Sequence, residues 1–394
     1  MREAEWFETS GRQSRPTFAN RTNELEGAQM SFTFESLVEK WDGLGVVTSY
    51  HRETGAWVFV ALHDATLGRP TGGCRLRSYS SPASAVRDAM RLAEGMTYKW
   101  AAMGFEYGGG KSVLAVPGPI TGAARQALFT HFGELLNCLG GAYGVGEDLG
   151  TTPEDLAFLA TVTSAVAGSG HGCHPADPGP FTAAGVHAGI VTALSHAYGT
   201  GDLTGRSVLV QGVGDVGEPL AMLLARSGAR VLVSDLDVSR ARTVADECGG
   251  SVVDPRDVYR VACDVYAPCA VGATVSRRTI PRLGCRIVAG SANNPLERSA
   301  DAELLLERGI LYAPDYVING GGAMACGLME RGIRSTAEVT DEVRRRIASS
   351  LAGIFREADS LSTSPAVAAH RVAARALGRE QPRVRRPVDR SPRP

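Results

Sequence analysis

Residues 207–237 constrain the fold more than any other segment, and they read SVLVQGVGDVGEPLAMLLARSGARVLVSDLD. The first five residues predict a buried strand, and the next six, GVGDVG, match the pattern GxGxxG at the start of an amphipathic helix. A second strand, 230–235, ends at Asp235, which lies 23 residues after Gly212. A strand, a glycine turn, a helix and an acidic strand end in this order are typical of a sheet that binds a dinucleotide.

The glycine turn predicts where a dinucleotide would lie. Its glycines allow a tight turn and a close backbone approach, and the helix N-terminus would receive the pyrophosphate. Asp235 would accept a hydrogen bond from a ribose 2′-hydroxyl and repel a 2′-phosphate, which favours NAD over NADP. The predicted cofactor-binding residues of the turn are Gly212, Val213, Gly214, Asp215, Val216 and Gly217. A structural glycine turn without a ligand is the alternative.

Strands and helices are also predicted on both sides of this motif. The predicted strands are 57–62, 112–116, 264–267, 286–289 and 310–313. The predicted helices begin at Ser81-Pro82, at 123, at Thr152-Pro153 and near 182, and two more cover roughly 336–358 and 365–377. The alternation of strands with helices predicts an α/β fold with a mostly parallel sheet.

Length and charge narrow the class of protein. A chain of 394 residues can form two ordinary domains, and its net charge of -1 gives no electrostatic reason to expect nucleic acid or an anionic membrane as a partner. No apolar run approaches the ~18 residues of a membrane span, and no signal peptide is recognisable. The eight cysteines include no CxxC pair, which favours free thiols in a reducing cytoplasm.

The chain is poor in lysine, and two of its lysines lie in one glycine-rich segment. Only Lys40, Lys99 and Lys111 occur among 41 basic residues. A guanidinium stays protonated at any working pH, whereas a desolvated lysine can act as a base, so Lys111 beside Gly108–Gly110 is a candidate base. Lys99, on an apolar helix face, could bind a substrate carboxylate. If both line one cleft, their repulsion would lower the pKa of at least one. The alternative is that both are chance survivors on the surface.

Two other motifs do not indicate their usual function. GGGKS lacks the first glycine of a phosphate-binding loop because that position is Phe105, and a strand rather than a helix is predicted after the lysine. His171, Cys173 and His174 could bind a metal, but no second cluster completes a tetrahedral site. We therefore expect no metal and a loop between domains at this point.

Seven segments, in this order, resemble the leucine, valine and phenylalanine dehydrogenases of the glutamate dehydrogenase superfamily. They are LHDATLGRPTGGCR (62–75), GMTYKWAAMGFEYGGGKS (95–112), GEDLGTT (146–152), GVGDVG, YAPCAVG (266–272), AGSANNPL (289–296) and YAPDYVINGGG (312–322). The resemblance covers about 30–378 and implies NAD-dependent oxidative deamination of an L-amino acid to a 2-oxo acid and ammonia. It also implies a homo-oligomer.

The resemblance implies a domain organisation as well. A substrate domain of mixed α/β type would span 30–165 and be completed by a C-terminal helix at 350–377. A Rossmann-type doubly wound NAD domain would span 166–349, with the active-site cleft between the two. Residues 1–29 and 378–394 would lie outside both domains as disordered ends, and Met30 would be the natural start.

The resemblance also implies a role for individual residues. Lys111 would be the catalytic base and Asp148 its acidic partner, and Lys99 would bind the substrate carboxylate. The other implied substrate-binding residues are Thr71, Gly72, Gly73, Gly146, Asn293 and Asn319. The implied cofactor positions outside the glycine turn are Arg75, Thr182, Asp235, Leu236, Ala267, Ser291, Ala292 and Asn293.

Departures from the family pattern bear on the substrate. Members acting on glutamate have a lysine where this chain has Thr71, which argues for an apolar substrate, either branched-chain or aromatic. Gly146 stands where smaller-substrate members tend to have alanine. Gly320 and Ala323 are also small and are expected on the opposite wall, so the substrate pocket should be large. A glutamate dehydrogenase and a catalytically silent NAD-binding regulator are the alternatives.

Overall fold

Two β-sheets organise the fold in the computed structural model, which describes residues 41–167, 177–270, 272–333 and 335–379. The strands of the first sheet are β1 Gly45–His51, β2 Ala56–Asp64, β3 Pro70–Arg77, β4 Gly108–Ala115 and β5 Gly144–Glu147. Their order is β1-β2-β4-β3-β5; β2 is antiparallel to β1 and β4, and β3 is parallel to β4 and β5. Cys74 on β3 is paired with Ser112 of β4 on one side and with Glu147 of β5 on the other. This register brings together Arg75, Lys111 and Asp148, each of which is next in sequence to one of these three residues.

The second sheet is entirely parallel. Its strands are β6 Ser207–Gln211, β7 Arg230–Ser234, β8 Ser251–Val252, β9 Val265–Pro268, β10 Ile287–Val288 and β11 Leu311–Tyr312. They are arranged in the order β11-β10-β9-β6-β7-β8, so that the chain winds outward in both directions from β6 and β9. This is the doubly wound, Rossmann-type order, and it confirms the predicted fold class.

Helices cover the sheets and close the chain. They are α1 Pro82–Ala102, α2 Gly122–Cys138, α3 Pro153–Val162, α4 Pro178–Tyr198, α5 Gly217–Arg226, α6 Val238–Cys248, α7 Asp301–Glu307, α8 Asp315–Ile318, α9 Gly321–Glu330, α10 Thr336–Leu361 and α11 Pro365–Ala376. Helix α10 buries Val343, Ile347 and Leu351, one helical turn apart, where it packs on α4. The last helix, α11, packs on α1 beneath the first sheet, where the rings of Tyr98 and His370 are 4.5 Å apart.

One apolar core joins the second sheet to the end of α1, the helix that packs on β2 and β4 of the first sheet. It contains Trp100 and Phe105 from the first half of the chain, Val208 and Val210 from β6, and residues of α10 and α11. From Gly43 onward the chain forms one compact unit. The domain boundaries at 165/166 and 349/350 therefore remain predictions. They require the last helix to pack against the first domain, and α11 does pack on α1.

The strand that carries Lys111 differs from its prediction. The sequence places the strand after the glycine run, but β4 begins at Gly108, so the glycines and Lys111 are part of the strand. Helix α4 begins at Pro178, four residues before its predicted start, because Asp177 caps it and Pro178 occupies its first position.

Some expectations lie outside the described residues. These concern 1–29, Met30, the histidines and cysteine of 171–174, and the tail from 380 onward. The other seven cysteines are free thiols. None of the helices in the described ranges combines the length and the apolar character needed to cross a membrane.

Candidate active site

A carboxylate held between two cations lies where β3, β4 and β5 meet. Asp148 directly follows β5, and its Oδ2 lies 3.1 Å from Nζ of Lys111 on β4 and 2.8 Å from Nε of Arg75 on β3. Arg75 also contacts Asp88 of α1 at 3.2 Å. The side chains of Lys111 and Arg75 are only 7% and 14% exposed, so water screens these pairs weakly.

The two cations keep Asp148 ionised. Burial opposes its charge, but Lys111 and Arg75 outweigh that penalty and hold the pKa of Asp148 well below its ordinary value. Asp148 therefore carries its negative charge at every pH at which the protein would work. The backbone N–H of Asp148 donates to Oγ1 of Thr151, which fixes the turn after β5.

Lys99 lies in the last turn of α1 and faces the same cleft. Burial lowers the pKa of Lys99 to about 8; Asp315 and Asp148 oppose this shift, and the charge of Lys111 adds to it. The repulsion expected between two lysines in one cleft thus lowers the pKa of Lys99.

Gly73, on β3, lines the cleft beside the ion pair of Lys111 and Asp148. A Cβ at this position would lie 3.1 Å from Nζ of Lys111 and 2.7 Å from Cβ of Asp148, so any side chain would displace the pair. Its neighbour Thr71 is buried, and the carbonyl of Thr71 accepts a hydrogen bond from Trp100 Nε1 at 3.0 Å. A Cβ at Gly146 would meet nothing, so this residue opens onto free space in the cleft.

Other parts of the cleft lining come from segments that follow strands of the second sheet, among them Asn293 after β10 and Asp315 after β11. Asn319 donates from Nδ2 to Oδ1 of Asn293 at 2.8 Å and to the carbonyl of Ser291 at 3.2 Å. These contacts fix the loop after β10, which includes Ala292. Thr182, on α4, accepts from the N–H of Gly322 at 3.1 Å and thereby ties α4 to the start of α9.

The glycine turn lies at the carboxyl ends of β6 and β7. Gly212 has φ 90°, which an L side chain rarely adopts, and a Cβ at Gly217 would lie 1.9 Å from the carbonyl oxygen of Gly212. Oδ2 of Asp235 accepts from the N–H of Val213 at 2.9 Å and so braces the turn. Gly214 faces open space, which leaves its backbone accessible.

The remaining predicted cofactor positions surround this turn. Val216 immediately precedes α5, and Asp215 is exposed beside it. Leu236 follows Asp235 and is 90% exposed, whereas Ala267 is buried on β9, where it pairs with Val210 of β6. All of these residues therefore lie at or near the carboxyl ends of the strands.

The structure brings most of the predicted catalytic and substrate-binding residues into one cleft. Those that line it are Thr71, Gly72, Gly73, Lys99, Lys111, Gly146, Asp148 and Asn293, and Arg75 lines it as well. Ala323 lines it too, but Gly320 packs against Met103 instead. Arg75, predicted at a cofactor position, forms ion pairs within the first sheet, and its contact with a cofactor remains a prediction.

Several residues of the cleft were not singled out from the sequence. Glu147, Asp315, Tyr107, Cys326 and Glu330 all line it. Glu147 stands beside Asp148 in GEDLG, and Asp315 lies within YAPDYVINGGG. These motifs could therefore have indicated that both residues line the cleft. Tyr107 and Glu330 are 223 positions apart, and no local pattern indicates that they meet.

Comparison with known proteins identifies the family. Residues 48–165 match the family described as "Glu/Leu/Phe/Val dehydrogenase, dimerisation domain", and residues 237–382 match "Glutamate/Leucine/Phenylalanine/Valine dehydrogenase". The leucine dehydrogenase of Bacillus cereus is 41% identical over 75% of this chain and 80% of its own length. The phenylalanine dehydrogenase of Lysinibacillus sphaericus is 37% identical over 68% of this chain and 72% of its own length.

A solved structure agrees with these relatives. The crystal structure of L-tryptophan dehydrogenase from Nostoc punctiforme superimposes with a TM-score of 0.76 at 32% identity, over 88% of this chain and 98% of that one. Sequence and fold thus agree over most of the chain, including the segments that form the cleft. The chain belongs to the glutamate, leucine, phenylalanine and valine dehydrogenase family, and it is an amino-acid dehydrogenase.

Proposed function

We propose that this enzyme catalyses the NAD-dependent, reversible oxidative deamination of a branched-chain or aromatic L-amino acid to the 2-oxo acid and ammonia. The observation that carries the proposal is the Lys111–Asp148 ion pair, held at 3.1 Å in a cleft that also presents Lys99. Deamination requires a cation for the substrate carboxylate and a group that moves protons at the substrate nitrogen and at a water. The cleft contains one lysine for each task.

The residues of the glycine turn fit NAD. The accessible backbone of Gly214 and the N-terminus of α5 would hold the pyrophosphate, and Asp235 is fixed beside the turn by its contact with Val213, where it would bind the ribose hydroxyls. When bound, the nicotinamide accepts a hydride from the substrate Cα. Thr182 and the loop of Ser291, Ala292 and Asn293 would position the nicotinamide, as the resemblance implies.

Lys99 would bind the substrate carboxylate. Its ammonium projects from the last turn of α1 into the cleft, and the charge of Asp315 opposes the lowering of its pKa by burial. A bound carboxylate would replace part of the lost hydration and stabilise the ammonium further. Gly72 and Gly73 of β3 have no side chains, so a substrate bound to Lys99 could approach the backbone of this strand.

Lys111 would act as the general base, and Asp148 would support it. Lys111 would first give its ammonium proton to solvent. Once hydride removal leaves an imine, the neutral amine would take a proton from the attacking water and later return that proton to the departing nitrogen. Loss of the proton from Lys111 removes one of the two cations that hold Asp148. The carboxylate then becomes a better acceptor, so the pair can pass a proton between lysine and substrate.

We also propose that copies of the chain associate through the edge of the first sheet. Among the described strands, β1 has a neighbour on one side only, and the aromatic pair Tyr50 and Trp57 is 43% and 36% exposed there. Their rings are 5.0 Å apart. The description of the matched segment 48–165 as a dimerisation domain supports this proposal.

The overall activity is tested with a panel of L-amino acids at alkaline pH, with NAD and NADP in parallel and NADH absorbance as the measurement. We expect turnover with NAD and an apolar or aromatic substrate, and little with glutamate because Thr71 replaces the lysine that would bind its side chain. Tight NAD binding without turnover of any amino acid would instead identify a silent regulator. A preference for NADP would contradict the role given to Asp235.

The role of Lys111 is tested by Lys111→Arg, which keeps the ion pair with Asp148 but removes the ability to lose a proton. We expect kcat to fall by about 10²–10⁴-fold, the usual contribution of a general base, while NAD affinity stays nearly unchanged. The matched control is Lys40→Arg, the same substitution at the third lysine of the chain. Activity of Lys111→Arg comparable to that control would show that the base is another group.

The lowered pKa of Lys99 predicts a pH dependence of carboxylate binding. The ammonium is charged below about pH 8 and neutral above it, so the inhibition constant of 3-phenylpropanoate should be constant below about pH 8 and rise about tenfold per pH unit above it. This inhibitor does not itself titrate in that range. In Lys99→Met the inhibitor should bind weakly and independently of pH. An inhibition constant of the wild type that stays flat to about pH 10 would show that Lys99 does not bind the carboxylate.

Association through the sheet edge predicts a mass in solution of at least about twice 41.5 kDa by light scattering. Tyr50→Asp places a charge on that edge and should shift the protein to a smaller species. Val367→Asp, at a site on α11 that is 42% exposed, is the control and should leave the mass unchanged. A monomeric wild type would refute the association, and an unchanged mass of Tyr50→Asp would place the interface elsewhere.

A further inference from the structure

The cleft contains a polar cluster that the reaction itself does not need. Glu330, the last residue of α9, forms an ion pair with Arg69 at 2.5 Å and accepts a hydrogen bond from the hydroxyl of Tyr107 at 2.8 Å. Glu330 and Tyr107 line the same cleft as the two lysines. Arg69 reaches Glu330 across 261 positions of sequence, so the cluster joins the first sheet to the second half of the chain.

The cluster fixes a carboxylate that can still accept hydrogen bonds. Each oxygen of Glu330 accepts one hydrogen bond, from Arg69 or from Tyr107, and each retains acceptor capacity. Burial and the neighbouring carboxylate raise the pKa of Tyr107 to about 12, so its hydroxyl stays a donor. With 27% of its side chain exposed, Glu330 is accessible from the cleft.

The cleft has room for a large side chain beside this carboxylate. Gly146 faces open space, and the nearby residues of α9 that line the cleft are small: Ala323, Cys326 and Gly327. The ring of Tyr107 packs against Trp100 at 5.1 Å between centroids, which gives this part of the cleft an aromatic wall. An aromatic side chain matches such a wall better than a small aliphatic one.

A second carboxyl group in the cleft disfavours the binding of acidic substrate side chains. Glu147 lines it, and its Oε2 is buried without a hydrogen-bond partner among the described residues. Burial and the neighbouring carboxylates, Asp177 first among them, raise the pKa of Glu147. An acidic substrate side chain would meet these two carboxyl groups, whereas a hydrogen-bond donor would find acceptors.

We propose that Glu330, held in place by Arg69 and Tyr107, selects an aromatic amino acid whose side chain ends in a hydrogen-bond donor, namely a phenol O–H or an indole N–H. The proposal rests on the proposed deamination, since it concerns the substrate of that reaction. Without the donor, the carboxylate would lose its hydration on substrate binding and gain nothing in return.

The test compares substrates that differ only in the donor. L-tyrosine is paired with L-4-methylphenylalanine, and L-tryptophan with 3-benzothienyl-L-alanine, in which sulfur replaces the ring N–H. For at least one pair we expect the wild type to prefer the donor by at least about tenfold in kcat/KM, the effect of one hydrogen bond to a charged group. Glu330→Gln should reduce this preference, and the double variant Arg69→Met/Glu330→Leu should abolish it.

The double variant removes both charges together, so that neither is left buried without a partner. The control is Glu106→Gln, the same change at a glutamate that pairs with Arg331 at 3.3 Å and is 81% exposed; it should keep the preference. No preference in the wild type for either pair would overturn the proposal, as would a preference that both Glu330 variants retain. L-phenylalanine serves as reference, because failure to turn over any amino acid would refute the deamination rather than the selection.

Discussion

The carboxylate of Asp148 lies between Lys111 and Arg75, and the arrangement of the cleft depends on this pairing. Each of the three residues comes from a different strand or strand end, so the pairing requires the register in which β3 lies between β4 and β5. Removing one member of a buried pair typically costs about 3–5 kcal/mol, because the remaining charge is left without a partner. The same contacts that hold the three strands together therefore fix the position of Lys111 in the cleft.

The two sheets were not equally predictable from the sequence. In the second sheet, β6 and β7 are apolar runs bounded by turn residues, and the glycine turn between them has a specific spacing, so strand, turn and helix were all predicted. In the first sheet, β3, β4 and β5 read PTGGCRLR, GGGKSVLA and GVGE. Glycine disfavours strands, and β4 is buried along its whole length, so no alternation of polar and apolar residues identifies it. In this sheet the sequence predicted WVFVAL in β2 and SVLAV, which overlaps only the second half of β4.

The glycines that conceal these strands are needed by the cleft. A Cβ at Gly73 would strike Asp148, so the site excludes the residues that would have made the strand recognisable. Lys99 and Lys111 were predicted for a different reason, since lysine is rare in this chain and arginine cannot serve as a base. Glu330 and Arg69 were not, because one glutamate and one arginine among many give no signal until the fold brings them to 2.5 Å.

The cleft presents cations and hydrogen-bond acceptors from different residues. Lys99 and Lys111 face the cleft with the shared carboxylate of Asp148, whereas Glu330 and Glu147 supply acceptors. In the proposed reaction, an L-amino acid that places its carboxylate on Lys99 would direct its side chain elsewhere, and the acceptors would then determine which side chains are stabilised. Because Arg69 neutralises Glu330, the acceptors favour a neutral donor over a full positive charge. On the proposed selection, specificity would therefore follow from where polar groups remain unsatisfied, and not from the volume of the cleft alone.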